Sequence, residues 1–286
     1  MPAMPSPLMR HIAACNNTPS LAHLLPFRLG TAHVGFVTPA VAAALAGGPE
    51  GFAATAAGLG LAAATPSAAL EAAARRLAPL GLLRLRGEAF DVRADLEGPA
   101  LARLDRGAIP AFGVIGHGVH VNGLVRRADG LHVWVGVRAR DKAVAPGQLD
   151  NLVGGGIPAG LDAAATLLKE AEEEASIPAD LARAARRAGR ITYVLSLPEG
   201  LRRDVLHVYD LELPADFVPT PNDDEVERFE LWPAARLLEA VRETEAVKFN
   251  VNLVLIDLFL REGLIAPEGA EGRALRAALD PGVAPR

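Results

Sequence analysis

The chain has 286 residues, enough for one large or two ordinary domains with well-filled cores. Half of the residues are hydrophobic, the formal net charge is −5, and the single cysteine is Cys15. This balance argues against a nucleic-acid-binding surface, excludes an internal disulfide, and is what a protein of a reducing, cytoplasmic compartment would carry.

Met1 to Asn17 lacks an apolar stretch of signal-peptide length, and residues 1 to about 25 read as a frayed lead-in or a first short helix. Phe27 to Val37 reads as strands and turns around Gly30 and Gly35. Thr38-Pro39 starts a helix to about Leu45, and Thr65-Pro66-Ser67 starts another to about Leu77, each with a cap residue followed by a first-turn proline. The alanine-rich region between them is broken by Gly47-Gly48-Pro49-Glu50. No run reaches the roughly 20 apolar residues of a membrane span, so no membrane partner is expected. Alternation from Leu82 to Val92 around Gly87 predicts a hairpin, and Leu101 to Ile109 predicts a short helix. Residues 1–115 thus read as a small α+β domain of unassigned role.

A second domain is expected over residues 116–265. Val119 to Val125 and His132 to Val137 form a hairpin around Ala128-Asp129-Gly130, because Asp-Gly between apolar runs is a strong turn signal. Leu149 to Val153 leads into Gly154-Gly155-Gly156, read as the start of a tight glycine loop, and Asp162 then caps a helix that Pro178 ends. Strands follow at 191–197, 205–213 and 227–231, then a helix at 233–241 and a mostly buried one at 248–262. The Ala-, Gly- and Pro-rich residues 266–286 are expected to form a flexible tail.

The chemistry concentrates on the helix after the glycines, which carries Glu170, Glu173 and Glu174. Residues three and four apart share one helix face, and carboxylates crowded there repel one another unless a cation sits among them. Oxygen clusters of this kind suit Mg2+ completed by a substrate diphosphate.

Aligned position by position, this stretch resembles the Nudix box, in which a glycine, a glutamate after five intervening residues, and, after seven more, an Arg-Glu-apolar-x-Glu-Glu-x-Gly-apolar run recur. Gly155 takes the first glycine, Lys169 the arginine, Glu170, Glu173 and Glu174 the later glutamates, and Ala171 and Ile177 the apolar positions. Leu161 stands in place of the first glutamate and Ser176 in place of the closing glycine. The flanks Gly118-Val119-His120-Val121-Asn122-Gly123, Trp134 to Lys142, Pro146 to Asn151 and Lys248-Phe249-Asn250 are similar to Nudix proteins with an N-terminal domain of unassigned function. They are also similar to the Nudix half fused to thiamine pyrophosphokinase in some fungal proteins.

The resemblance implies a Nudix α/β/α sandwich with a mixed sheet and a hydrolase of small-molecule diphosphates that uses Mg2+ or Mn2+. Gly155, Glu170, Glu173, Glu174 and Glu225 are the expected metal residues; Glu173, Glu174 and Lys169 the catalytic ones; Arg138, Arg140 and Lys142 the substrate-binding cations. The substrates implied are thiamine diphosphate analogues, oxo- and oxythiamine diphosphate, released as monophosphates. A pyrophosphatase of nucleotide sugars and a non-hydrolytic diphosphate-binding module are the alternatives, and a homodimer stays open. An isopentenyl-diphosphate isomerase is disfavoured, because Cys15 lies far outside the Nudix segment.

Overall fold

The computed structural model describes residues 6–18, 20–55, 57–142 and 144–283. The chain folds into two mixed α+β regions, a smaller N-terminal one and a larger one that follows, each built around its own apolar cluster. In the first, β1 (Leu25–Leu29), β2 (Ala32–Val37), β3 (Phe52–Thr55) and β4 (Gly58–Leu61) form a sheet in the order β2-β1-β4-β3. The β1–β4 pair is parallel and the others antiparallel. Two helices, α2 (Pro39–Leu45) and α3 (Pro66–Leu77), cover it. The Thr38 hydroxyl accepts from the Val41 N–H at 3.2 Å, so α2 starts where its cap residue predicts.

The hairpin expected around Gly87 does not form. Instead β5 (Ala89–Val92) pairs with β6 (Ala102–Asp105), a segment whose sequence reads as helical. Phe90 and Val92 on one strand and Ala102 and Leu104 on the other alternate into the core, a period of two that the leading Gly87 obscures. The Asp105 carboxylate accepts from the backbone N–H groups of Arg86, Gly87 and Gly107, which holds 86–87 as a turn. The helix expected over Leu101 to Ile109 is β6 and a single 3-10 turn at 106–108, and α4 (Ile109–Phe112) starts only where that span ends.

The second region contains a seven-stranded sheet. Its main path is β11 (Arg186–Leu197), β12 (Gly200–Glu212), β7 (Ile115–Arg127), β8 (Gly130–Arg138) and β13 (Val226–Pro233), while β10 (Val153–Gly156) pairs with β7 and β9 (Leu149–Asp150) with β8. β12 and β7 run parallel and the remaining pairs antiparallel, so the sheet is mixed. On one face α5 (Ala163–Ala175) buries Leu167, Ala171 and Ala175 against Val121, Leu152 and Val153. The short α6 (Ala179–Ala182) follows it. On the other face lie α7 (Ala234–Glu243) and α8 (Val251–Arg261), every residue of which is buried except Arg261.

The first short helix that the lead-in allows does form, but its packing and the structure of the tail both depart from expectation. The lead-in contains α1 (Met9–Cys15), and Leu8, Ile12 and Cys15 join the core beneath α8, not that of the N-terminal region. Their three- and four-residue spacing makes one apolar face, which the second sheet buries. Residues 266–286 were expected to be a flexible tail, yet they contain α9 (Ala270–Ala278), with Leu275 and Leu279 in the same core. Residues four apart on an alanine-rich helix give a stripe that packs despite the flanking glycines and prolines. Residues 284–286 lie outside the described residues, as do residues 1–5 of the lead-in.

Candidate functional site

Gly154, Gly155 and Gly156 are strand, not loop: they continue β10 antiparallel to β7, opposite His120, Val119 and Gly118. The turn comes later, at Gly160, whose φ is 85°. Space favours glycine most at Gly156, where a Cβ would stand 2.3 Å from the Phe90 ring. A Cβ on Gly155 would stand 2.7 Å from the Glu170 carboxyl carbon, so it would push that flexible carboxylate away from the strand.

The strand register also decides which carbonyl faces them. The Gly154 N–H donates to Glu174 Oε2 at 2.9 Å, so it points away from β7. In an antiparallel strand the N–H and C=O of one residue share a side. The Gly154 carbonyl therefore lies on the open edge beside Glu174. The Gly155 carbonyl, expected to face a metal, turns towards β7, as does the Ile157 N–H, which donates to the His117 carbonyl at 2.9 Å. Gly154 replaces Gly155 as the backbone donor available to the acidic helix.

The helix begins as expected, with the Asp162 side chain accepting from the Ala165 N–H at 2.7 Å. It ends at Ser176, which holds the left-handed conformation at φ 51° and donates its N–H to the Glu172 carbonyl, while the Ile177 N–H donates to the Ala171 carbonyl. A serine there does the work of the usual C-terminal glycine at a modest conformational cost.

The three glutamates differ in environment. Glu174 is buried, Glu170 half-buried and Glu173 exposed. Burial pushes the Glu174 carboxyl well above its ordinary value; the Gly154 N–H opposes this, and the charges of Asp150, Glu170 and Glu225 add to it. Burial likewise raises Glu170, against Lys169, with Glu173 and Glu88 adding to the rise. The Lys169 ammonium hydrogen-bonds both Glu173 and Glu170, the latter at 3.2 Å. Among the described residues Glu174 has no ion pair, and no three acidic, imidazole or thiol groups converge on one point at metal-binding distance.

Glu225, from the loop before β13, lies 3.7 Å from Arg138 and close enough to raise Glu174, so this loop does reach the site. Arg138 is buried and donates to Asp150 Oδ2 at 2.8 Å and to the Val144 carbonyl at 3.2 Å. It was expected to meet a diphosphate; its guanidinium is instead held by a buried carboxylate. Lys248 donates to the same oxygen at 2.8 Å. Burial raises Asp150, but Lys248, His120 and Arg138 together outweigh it and hold the carboxyl at about 2. Arg140 is exposed and Lys142 half-buried, and neither has an ion pair among the described residues. Sequence reasoning missed the Lys248–Asp150 pair, although both residues stand in the quoted flanks.

The N-terminal region also touches the site. The Ala159 N–H donates to the Ala89 carbonyl at 2.8 Å, and the Gly160 N–H to the Asp91 carboxylate at 3.3 Å. Glu88, just ahead of β5, bears on Glu170. No periodicity reveals these contacts, because they join residues about 70 positions apart.

The donor set suits a hard divalent cation. A buried carboxylate without an ion pair among the described residues, a half-buried one held by Lys169, and the outward-turned Gly154 carbonyl line one edge. The NUDIX domain profile matches residues 116–252. Residues 116–252 are a Nudix domain. A domain of unknown function, DUF4743, matches residues 7–116, ahead of the Nudix domain. "Nudix hydrolase 24, chloroplastic" of Arabidopsis thaliana is 44% identical over 184 residues, 64% of this chain and 50% of that protein. "Nudix hydrolase 20, chloroplastic" of the same plant is 42% identical over 186 residues, 65% of this chain and 50% of that protein. The chain thus spans about half the length of these curated relatives. The crystal structure of DR0079 from Deinococcus radiodurans aligns at 20% identity over 67% of this chain and 99% of that one, with a TM-score of 0.44, too loose a likeness to argue from.

Proposed function

We propose that this chain hydrolyses the phosphoanhydride bond of a small-molecule diphosphate with a bound divalent cation, Mg2+ or Mn2+. The observation that carries this reading is Glu174: a buried carboxylate with no ion pair among the described residues, beside the Gly154 carbonyl and within reach of Glu170 and Glu225. Glu170, Glu173, Glu174, Glu225 and the Gly154 carbonyl would hold the cation. When bound, such an ion neutralises the diphosphate and lowers the pKa of an attacking water. Around it, Lys169 steers Glu173 and Glu170 and Asp150 fixes the Arg138 guanidinium beside Glu225, and we assign Arg140 and Lys142 to the phosphates. The two plant relatives named Nudix hydrolases support the reaction class.

The substrate we favour is a thiamine diphosphate analogue such as oxo- or oxythiamine diphosphate. Its support is the subfamily resemblance of the flanks, Trp134 to Lys142 and Lys248 to Asn250. No described helix is long and apolar enough to cross a membrane, and with one cysteine we place the activity in the cytoplasm. A phosphate-release screen across thiamine, oxythiamine and oxothiamine diphosphates and nucleotide sugars, with and without Mg2+, tests both levels. Phosphate plus a monophosphate is expected from the thiamine analogues; two monophosphates from a nucleotide sugar would replace the favoured substrate. Undiminished release by Glu174→Gln would overturn the assigned site.

One observation favours a second reading. Lys169 already neutralises Glu170 and Glu173, and Leu161 supplies no carboxylate, as in a site that binds diphosphates without turnover. Saturable binding with no product across the screen would select it.

A further inference from the structure

Between β5 and the turn after β10 lies a half-open cleft of about 180 Å³. Phe90, Leu96, Ile157 and Leu161 give it apolar walls, and its polar edge carries His117 and His207 beside the charged Asp91, Arg93, Glu97 and Asp162. The two imidazoles stack with centroids 5.6 Å apart, and His117 Nδ1 lies 3.3 Å from His207 Nε2. That contact leaves His117 Nε2 buried with no hydrogen-bond partner among the described residues. An unmet buried polar atom of this kind calls for a ligand group or water. Burial lowers His117 to about 4, with His207 and Arg93 adding to the drop, so the ring is neutral near pH 7 and offers one directed hydrogen bond, not a charge.

The cleft and the acidic edge share two elements. Ala163, which lines the cleft, and Glu170 are seven residues apart on α5, the same stripe of the helix and roughly 10 Å along its axis. β5 spans the same interval from the other side, with Glu88 bearing on Glu170 and Phe90 over Gly156. An apolar cavity of roughly 150 Å³ accepts one benzene, so this volume suits a single ring. Leu161, at the position where the Nudix box has a glutamate, is here a wall of that cleft.

We infer that this cleft receives the terminal ring of the diphosphate substrate, with an edge atom of the ring bonded to His117, so that the N-terminal region forms half of the substrate site and sets its specificity. The inference rests on the diphosphate-hydrolase reading above. It assigns Phe90, Leu161 and His117 as specificity residues.

The test uses the full chain with Glu174 intact, in Mg2+ and with the bridging oxygen of each diphosphate replaced by methylene so that neither is cleaved, and compares equilibrium binding of oxythiamine diphosphate, which carries a terminal ring, with methyl diphosphate, which carries none. Adding Leu161→Trp fills the cleft, and the preference for the ring-bearing compound should fall at least tenfold. In the protein with Leu161 intact, the His117 imidazole NMR signals should shift with oxythiamine diphosphate and stay in place with methyl diphosphate. An unchanged preference with unshifted signals, or no binding of oxythiamine diphosphate, overturns the inference. Failure of the parent reading is separate, since it shows as phosphate release that Glu174→Gln does not reduce.

Discussion

Asp150 and Glu174 are both buried carboxylates at one end of the same sheet, and their environments are opposite. Asp150 sits 2.8 Å from both Arg138 and Lys248, and its carboxyl is held at about 2. Glu174 has one backbone N–H at 2.9 Å and acidic neighbours, and its carboxyl is pushed well up. Burial costs each of them free energy, but the chain compensates the cost at Asp150 with its own cations and leaves it standing at Glu174. A carboxylate compensated internally is structural; one left uncompensated next to two others is where an outside cation gains most. That contrast separates the scaffold from the reacting edge more sharply than the count of glutamates does.

The largest expected effect lies on the scaffold side. Asp150→Asn strips half-buried Lys248 of its counter-charge and leaves buried Arg138 with only Glu225 at 3.7 Å, and should cost about 4 kcal/mol in urea unfolding. The sign with pH follows from the lowered carboxyl: its contribution is present above its ordinary value of 3.8 and is lost as pH falls through about 2. Acid titration of stability should therefore be flatter in the variant below pH 4, and equal slopes would remove Asp150 from the scaffold. Leu275→Ala should cost about 3 kcal/mol, because it opens a cavity in the core shared with α8; a cost under ~0.5 kcal/mol would restore the flexible tail. On the reacting edge, Glu174→Gln should leave the melting temperature near that of the unaltered chain while phosphate release falls roughly 100-fold, about 2.7 kcal/mol in barrier. Added Mg2+ should raise the melting temperature of the parent and not of this variant. Equal Mg2+ stabilisation in both would erase the contrast between the two carboxylates. Lys169→Ala is the smallest effect on stability: its pairs with Glu170 and Glu173 are exposed enough for water to screen, and chemical denaturation should register only ~0.3 kcal/mol.

Much of the second region is legible from sequence because its signals are local. Asp129-Gly130 marks the β7–β8 hairpin, Asp162 caps α5, and the glutamates stand at helical spacing. What is illegible has physical reasons. Three glycines carry no side-chain alternation, so β10 cannot announce itself as a strand, and the carbonyl it turns to Glu174 depends on a register set by β7. The β5–β6 pairing is hidden because Gly87 mimics a turn residue between strands. Arg138 reads as an exposed cation at a strand end, and only the position of Lys248, 98 residues beyond Asp150, shows that both charges meet one buried carboxylate. The pairing of His117 with His207 depends on the parallel register of β7 and β12, which no single strand encodes.

The packing of α1 and α9 against the same buried helix has a consequence for how the protein is made. Leu8, Ile12 and Cys15 leave the ribosome some 240 residues ahead of their partners in α8 and α9. The Ser6 hydroxyl bonds the Glu271 carboxylate across a separation of 265 residues. The N-terminal region, whose core is drawn from residues 27–114, can close while synthesis continues, whereas the Nudix core must wait for the last helices. Contacts this distant in sequence are slow to form, and until then α1 presents an apolar face with nothing to cover it.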